Sequence, residues 1–241
     1  MSTVSGGQGN IVTNGLVLNL DAANPRSYAP PYNGTTWQNI APISSSLTGS
    51  LVGGVAYTGS NGGALVFDGV NDYVTGFDSI SLNTTSSFSV EFWFNLTSFS
   101  DAYPSLIQLK TNSSFGWNLS LSQNGGYLGL TFGSTNNWST IKTDNIPTVG
   151  VWNHVIVTYN GLGAGTISNY KTYLNNIEQT LSSAGGFNST TQVNYIGTTN
   201  AASRGIDDFI GRISVCRIYN RALNASEVLQ NFNATRARFG V

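Results

Sequence analysis

From residue 15 to residue 224 the chain offers strand and turn signals and no convincing helix. Phe88, Val90, Phe92 and Phe94 alternate with Ser89, Glu91, Trp93 and Asn95, the period of two that a strand shows when one face enters a core. Trp93 falls out of phase with the phenylalanines and so belongs to the opposite face. Leu16, Leu18 and Leu20 open a first strand, and shorter pieces follow at residues 37–40, 55–58 and 65–67. Further runs at residues 105–110, 116–123, 127–132, 152–159, 170–175 and 192–197 are separated by turns rich in Gly and Asn. Asn124, Gly125 and Gly126 give a hairpin signal between two of them. So many short strands bury their apolar faces by layering, which predicts an all-β fold: a two-sheet antiparallel jelly-roll sandwich.

The exception is the C-terminal end. Ile213, Val215, Ile218 and Tyr219 form an apolar run expected of a strand covered on both faces. Asn224 stands three residues before Glu227, the spacing of a capping box, and Leu223 and Val228 occupy the positions of a hydrophobic staple. Val228 and Phe232 share one face, so one short C-terminal helix docks after this strand. Residues 1–14 are small, polar and Gly-rich and are expected to form a flexible arm, leaving residues 15–241 as one domain.

Composition narrows the function. Only 9% of residues are charged, the net charge is −1 and no basic run exists, which argues against nucleic acid as a partner. No apolar run approaches membrane-spanning length, so membrane insertion is not expected. The first nine residues have neither a basic n-region nor an apolar h-region, and the chain is expected to be made in a cytoplasm without using the ordinary secretion route. Cys216 is the sole cysteine and reads as a small buried hydrophobe. Asn-X-Ser/Thr triplets, at Asn33, Asn83, Asn95, Asn118, Asn188, Asn224 and Asn233, are what an Asn- and Ser-rich chain produces by chance, and Asn95 and Asn118 lie in predicted strands.

Catalytic patterns are missing. Retaining glycoside hydrolysis needs two carboxyl groups flanking one bond. Of the three glutamates, Glu91 has no acidic residue two or four positions away, Glu227 is a helix cap, and Glu178 stands apart. His154 is the sole histidine, in the middle of a strand, and reads as structural. Asp68, Asn71 and Asp72 gather oxygen ligands within one turn and are candidate calcium ligands; turn geometry is the simpler account, since no EF-hand spacing exists. Trp37, Trp93, Trp117, Trp138, Tyr127 and Tyr195 are candidate platforms for stacking sugars. Trp138, read as lying in the polar loop 134–139, is the better exposed of these, and Trp93 is the second choice unless a loop or the helix covers it.

Four stretches carry a resemblance. Residues 15–25 (GLVLNLDAANP), 64–74 (ALVFDGVNDYV), 152–159 (WNHVIVTY) and 218–227 (IYNRALNASE) together resemble laminin-G-like members of the concanavalin A-like lectin and glucanase superfamily. The resemblance implies a jelly-roll, and in many such domains a bound calcium ion. The family's usual acidic pair in the last strand is replaced here by Ser214 and Val215, which removes those ligands. The tail expected after the helix, residues 231–240, is similar to modules in virion proteins of large tailed bacteriophages. That narrower resemblance implies a non-enzymatic virion protein, as a capsid decoration, head fibre or tail adhesin. Its partners would be other virion proteins and host-surface glycans, and it would form an oligomer on a symmetric shell. The alternatives are a free carbohydrate-binding lectin and, behind it, a glycoside hydrolase.

Overall fold

The computed structural model describes residues 10–42, 47–77, 79–82, 85–99, 104–110, 116–122, 127–134, 137–163, 165–182, 191–198 and 208–241. In chain order the strands are β1 (Leu16–Asp21), β2 (Thr36–Gln38), β3 (Thr48–Val52), β4 (Ala56–Thr58), β5 (Ala64–Asp68), β6 (Tyr73–Thr75), β7 (Ser81–Leu82), β8 (Phe88–Leu96) and β9 (Ser105–Lys110). They continue with β10 (Gly116–Ser122), β11 (Tyr127–Ser134), β12 (Asn137–Thr143), β13 (Trp152–Tyr159), β14 (Tyr170–Leu174), β15 (Ile177–Glu178), β16 (Leu181–Ser182), β17 (Thr191–Ile196) and β18 (Ile210–Tyr219), and the helix α1 (Ala225–Phe239) follows.

Two antiparallel sheets result. The first runs β15-β14-β13-β8-β18-β5-β4, with β1 also paired to β18; the second runs β16-β12-β11-β10-β9-β17-β6-β3-β2, with β7 on β17. Phe88, Val90, Phe92 and Phe94 of β8 face Leu119, Leu121 and Leu128 of the second sheet within one core, as the alternation predicts. The expected hairpin turn at residues 124–126 lies outside the described residues, yet β10 and β11 pair antiparallel from Ser122 opposite Tyr127, as a hairpin requires.

All nine residues of β8 are buried, where alternation alone predicts one buried face. The second face is closed by α1. Trp93 and Val215 on the outer side of the first sheet pack against Phe239 with Trp152, and Trp93 stacks on Phe239 with ring centroids 4.2 Å apart. The Trp93 indole N–H donates to Thr235 Oγ1 at 2.8 Å, satisfying the polar atom that burial would otherwise strand. The capping box forms as read, with Glu227 N–H donating to Asn224 Oδ1 and Asn224 N–H to Glu227 Oε2. Leu223 and Val228 enter one apolar cluster, and Arg221 grips Glu227 with both guanidinium nitrogens, at 2.8 and 2.7 Å.

Three sequence expectations are corrected here. The helix does not stop near Phe232: it continues through residues read as a tail to Phe239, where Gly240 adopts the left-handed conformation that ends it. Residues 10–14 are not a free arm. Val12 is buried, its N–H donating to Asn231 Oδ1 and its carbonyl accepting from Tyr219 Oη, while Gln230 Nε2 donates to the Asn10 carbonyl. Residues 1–9 of that arm lie outside the described residues. Residues 137–143, read in part as a loop, are the strand β12 on β11.

Phe239 is 5% exposed and stacks on Trp93. Phe239→Ala is therefore expected to cost about 3 kcal/mol in urea unfolding, and Asn224→Ala about 1 kcal/mol.

Candidate functional site

The sandwich presents three concentrations of polar groups, and each answers one question from the sequence. The first lies under the helix. Glu91, at the centre of β8, has no solvent exposure. Its Oε1 accepts from Arg217 Nη1 at 2.6 Å and lies 3.1 Å from His154 Nε2; its Oε2 accepts from Asn231 Nδ2 at 2.7 Å. Burial alone would raise the Glu91 carboxyl, but the Arg217 guanidinium, with His154 and Asn231, outweighs it and holds the group below its ordinary range. Arg217 also reaches Asn19 Oδ1 through Nε at 3.2 Å. Glu91 is thus a buried counter-charge whose two oxygens are both occupied, with no open side for a substrate. His154, fully buried against the Trp93 and Phe232 rings, holds this carboxylate in place, the structural role that the sequence suggested. Cys216 is equally enclosed, and burial pushes its thiol well above the range of a reactive thiolate.

The second concentration is the turn after β5. Asp68 Oδ1 accepts the Val70 N–H at 2.8 Å, and Asp72 Oδ2 accepts the Asp68 N–H at 3.0 Å. Two carboxylates here are turn-formers, as the simpler reading held. Asp72 is only 4% exposed, and its Oδ1 has no hydrogen-bond partner. That oxygen abuts Gly53, whose φ of +95° and missing side chain let the Asn71 carbonyl and Asp72 approach. Calcium takes six to eight oxygens, and among the described residues no three His, Cys, Asp or Glu side chains converge. Asp68, Asn71 and Asp72 therefore do not by themselves fit the calcium site that the resemblance implies. Burial, then the neighbouring Asp68 and Asp208 charges, raise the Asp72 carboxyl despite the hydrogen bond from the Asp68 backbone.

The third is the outer face of the second sheet. Leu119, Ile107 and Ile196 point inward, so their neighbours Asn118, Gln108 and Tyr195 point outward, and the register sets Asn118 opposite Gln108 and Gln108 opposite Tyr195. Tyr73 of β6 meets Tyr195 edge to face, with centroids 5.6 Å apart. Gln108 Oε1 and Asn118 Oδ1 are buried with no hydrogen-bond partner. Towards β12, Lys142 Nζ lies 4.7 Å above the Tyr127 ring.

The aromatic candidates separate accordingly. Trp93 is fully buried beneath α1 and presents no face to a sugar, which corrects its use as a platform. Trp37 is also fully buried. Trp138 is a residue of β12 opposite Gly133 and not of a loop; its side chain, like that of Trp117, lies outside the described ones. Gln108 and Asn118 were missed as site candidates, because an isolated amide in a strand has no signature until the register shows two of them side by side.

Two outcomes test these assignments. Arg217→Met leaves the Glu91 charge buried without its main partner and is expected to cost about 3–5 kcal/mol, measured by chemical denaturation. Asp72 has the opposite sign. Its folded-state pKa is raised, so its ionisation removes stability as pH rises through that raised value, and the stability is fully present below the unfolded value near 3.8. In chelator, Asp72→Asn is expected to be more stable than the parent at pH 7 by about 1 kcal/mol, a gap that closes towards pH 4 in pH-dependent melting.

Domain 4 of AbnA, an extracellular arabinanase of glycoside hydrolase family 43 from Geobacillus stearothermophilus solved in complex with arabinotriose, is similar to this chain. Its TM-score is 0.67 at 19% identity, covering 92% of this chain and 100% of that one. The binding domain of Paraclostridial Mosquitocidal Protein 1 gives a TM-score of 0.63 at 19% identity, over 91% of this chain and 52% of that one. A botulinum neurotoxin type C structure, described as showing cell entry dependent on interaction with two ganglioside molecules, gives 0.61 at 19% identity, over 92% and 51%. The chain thus spans about half the length of these two toxin chains, and at such identities the likeness shows the fold alone. No match was found among curated protein sequences. A family profile described as the concanavalin A-like lectin/glucanases superfamily (Laminin_G_3) matches residues 68–229, more than half of the sequence. The chain belongs to that laminin-G-like family of the concanavalin A-like lectin/glucanase superfamily.

Proposed function

We propose that this domain is a carbohydrate-binding attachment module that binds glycans without cleaving them. The observation that carries the reading is how the carboxylates are spent. Glu91 is enclosed between Arg217, His154 and Asn231; Glu227 is held by Arg221 and the helix cap; Glu178 pairs with Lys171 and accepts from Tyr173 Oη; Asp21 pairs with Arg238. Asp68 and Asp72 bind turn amides. Glycoside hydrolysis needs an acid and a nucleophile or base flanking one bond in an open groove, and these carboxylates do not supply it. The polar outer face of the second sheet, in contrast, carries amides and tyrosines, which bind sugars without attacking them. The arabinanase domain similar to this chain over its whole length was solved with an arabinotriose, which supports the ligand class.

A narrower setting goes with this reading. The sequence ending at residues 231–240 supports a virion surface protein, assembled in a host cytoplasm and carried on a capsid or tail as an adhesin or decoration. The docking of Asn10 and Val12 on α1 supports a stable module. Co-purification with intact particles is the expected result, and recovery only as free protein in the host lysate counts against the setting while leaving glycan binding in place.

The function itself is tested on a glycan array with a parallel reducing-sugar assay. Selective binding of at least one oligosaccharide, at a Kd of about 1 mM or tighter, with no sugar release from that ligand, is the expected outcome. Catalytic release of reducing sugar would overturn the non-enzymatic reading.

A further inference from the structure

Tyrosines cover one edge of the sandwich, where β4 ends the first sheet. Tyr57 of β4 pairs with the core residue Leu65 and shares its inward side, and Tyr28 and Tyr32, from the connection between β1 and β2, fold over it. Tyr32 stacks on Tyr57 with ring centroids 4.4 Å apart, and Tyr28 lies 5.4 Å from the same ring. Tyr28 is almost fully buried, and its hydroxyl donates to the Gly34 carbonyl at 2.8 Å. The cover is therefore tied down at Gly34. The residue before it is Asn33, and both are exposed.

Asn followed by Gly carries a reaction of its own. The Gly N–H loses its proton to hydroxide, and the nitrogen attacks the Asn side-chain carbonyl carbon. A C–N bond forms, the bond to the side-chain amide nitrogen breaks, and that nitrogen leaves as ammonia. Water then opens the resulting succinimide at either carbonyl, giving Asp or an isoaspartyl residue whose main chain runs through the former side chain. Gly favours the attack because no Cβ obstructs its nitrogen. Folded structure opposes it by holding either party, and the Asn-Gly pairs among the described residues differ in how they are held. At Asn14, Arg221 Nε donates to the carbonyl at 2.9 Å, and Gly15 is buried against Asn220 and Arg221. Asn61 is left-handed, with φ of 52°, and its Nδ2 donates to the Arg238 carbonyl at 3.3 Å. Asn160 accepts the Leu162 N–H at 2.9 Å and donates to Asn169 Oδ1 at 3.1 Å, with Gly161 against the backbone of residues 85–87. At Asn33 neither the side-chain amide nor the Gly34 N–H makes a hydrogen bond, and the space beside Gly34 is open.

We propose that Asn33 is a modification site, converted by this reaction, with water as the co-reactant, to Asp and isoaspartate ahead of the other described Asn-Gly pairs. Either product adds a negative charge to a chain whose net charge is −1. The isoaspartyl product also adds a backbone atom between Tyr32 and Gly34. Tyr32 already holds a φ of 63°, uncommon for a bulky residue, so the longer main chain displaces the tyrosine cover. The site stands apart from the glycan-binding reading above and does not rest on it.

The test ages the full chain at mildly acidic and mildly alkaline pH and follows the amide-to-acid mass change at each Asn by peptide mass spectrometry. Asn33 is expected to convert first among Asn14, Asn33, Asn61 and Asn160, and faster at the alkaline pH. Gly34→Ala is the discriminating variant. Gly34 lies outside the left-handed region and an added Cβ meets nothing within 4 Å, so the thermal midpoint is kept while the methyl group obstructs the attack. Conversion at Asn33 is expected to fall several-fold in that variant. The aged parent is expected to melt below Asn33→Asp, which carries the charge without the added backbone atom, and aged Gly34→Ala to keep its midpoint. Conversion at Asn14, Asn61 or Asn160 that keeps pace with Asn33 overturns the proposal, as does an Asn33 that stays intact while the same chain in urea converts there. An aged parent that melts together with Asn33→Asp overturns the displacement of the tyrosine cover.

Discussion

Everything on the helix side of the molecule depends on one buried charge. Glu91 sits on the central strand of the first sheet, where an unpaired carboxylate would cost several kcal/mol. Its two oxygens are met by Arg217 from β18, His154 from β13 and Asn231 from α1, so one side chain requires three elements to arrive in register. Asn231 extends the demand, since its amide also serves Tyr219 Oη and its oxygen accepts the Val12 N–H. Replacing such a cluster with packed hydrophobes can be neutral or better for stability, so its value lies in orientation. An apolar helix could slide on an apolar sheet, whereas this one is pinned at Asn231.

The core was legible from the alternation of β8, because a period of two survives any sequence context, and so was the helix start, because the capping box at Asn224 and Glu227 is local. Signals that depend on distance were not legible. Arg217 is 126 residues from Glu91 and Asn231 is 140, and no periodicity links them. Residues 231–235 read as a tail because Asn and Thr are poor helix formers. They are helical because tertiary contacts override that preference: Asn231 belongs to the Glu91 cluster, and Thr235 both back-bonds to the Asn231 carbonyl and receives the Trp93 N–H. Residues 10–14 read as an arm because they follow a Gly-rich start and two apolar residues alone carry no pattern; Ile11 and Val12 pack in the cluster with Leu223 and Val228, and Asn231 and Tyr219 hold the Val12 backbone. The strand at Trp138 was hidden by its Ser, Asn and Thr neighbours, which match turn chemistry as well as the polar side of a strand.

The scarcity of charge has a structural counterpart. Glu91 with Arg217, Glu227 with Arg221 and Asp21 with Arg238 sit at joints between the helix, the strand before it and the chain start, whereas Glu178 with Lys171 is an exposed pair. Arg238 illustrates the use: its guanidinium joins the end of α1 to Asp21 at the end of β1 and to Ser214 in β18.

The two sheets meet their outer faces in different ways. Both sheets began with the same problem, an inner face driven into the core and an outer face that must meet something. On the first sheet the outer face is aromatic and ionic, and α1 answers Trp93 through Thr235 and Glu91 through Asn231, while His154 Nδ1 and Arg238 Nε are left without a partner. On the second, the outward positions that are described are amide, hydroxyl and tyrosine, and at Gln108 and Asn118 the oxygens are enclosed without an answering group from the chain. A closed face contributes stability by satisfying itself, while a face with unmet acceptors gives up part of that stability. What holds α1 in register is therefore the satisfied Glu91 cluster, while the enclosed Gln108 and Asn118 acceptors cost stability.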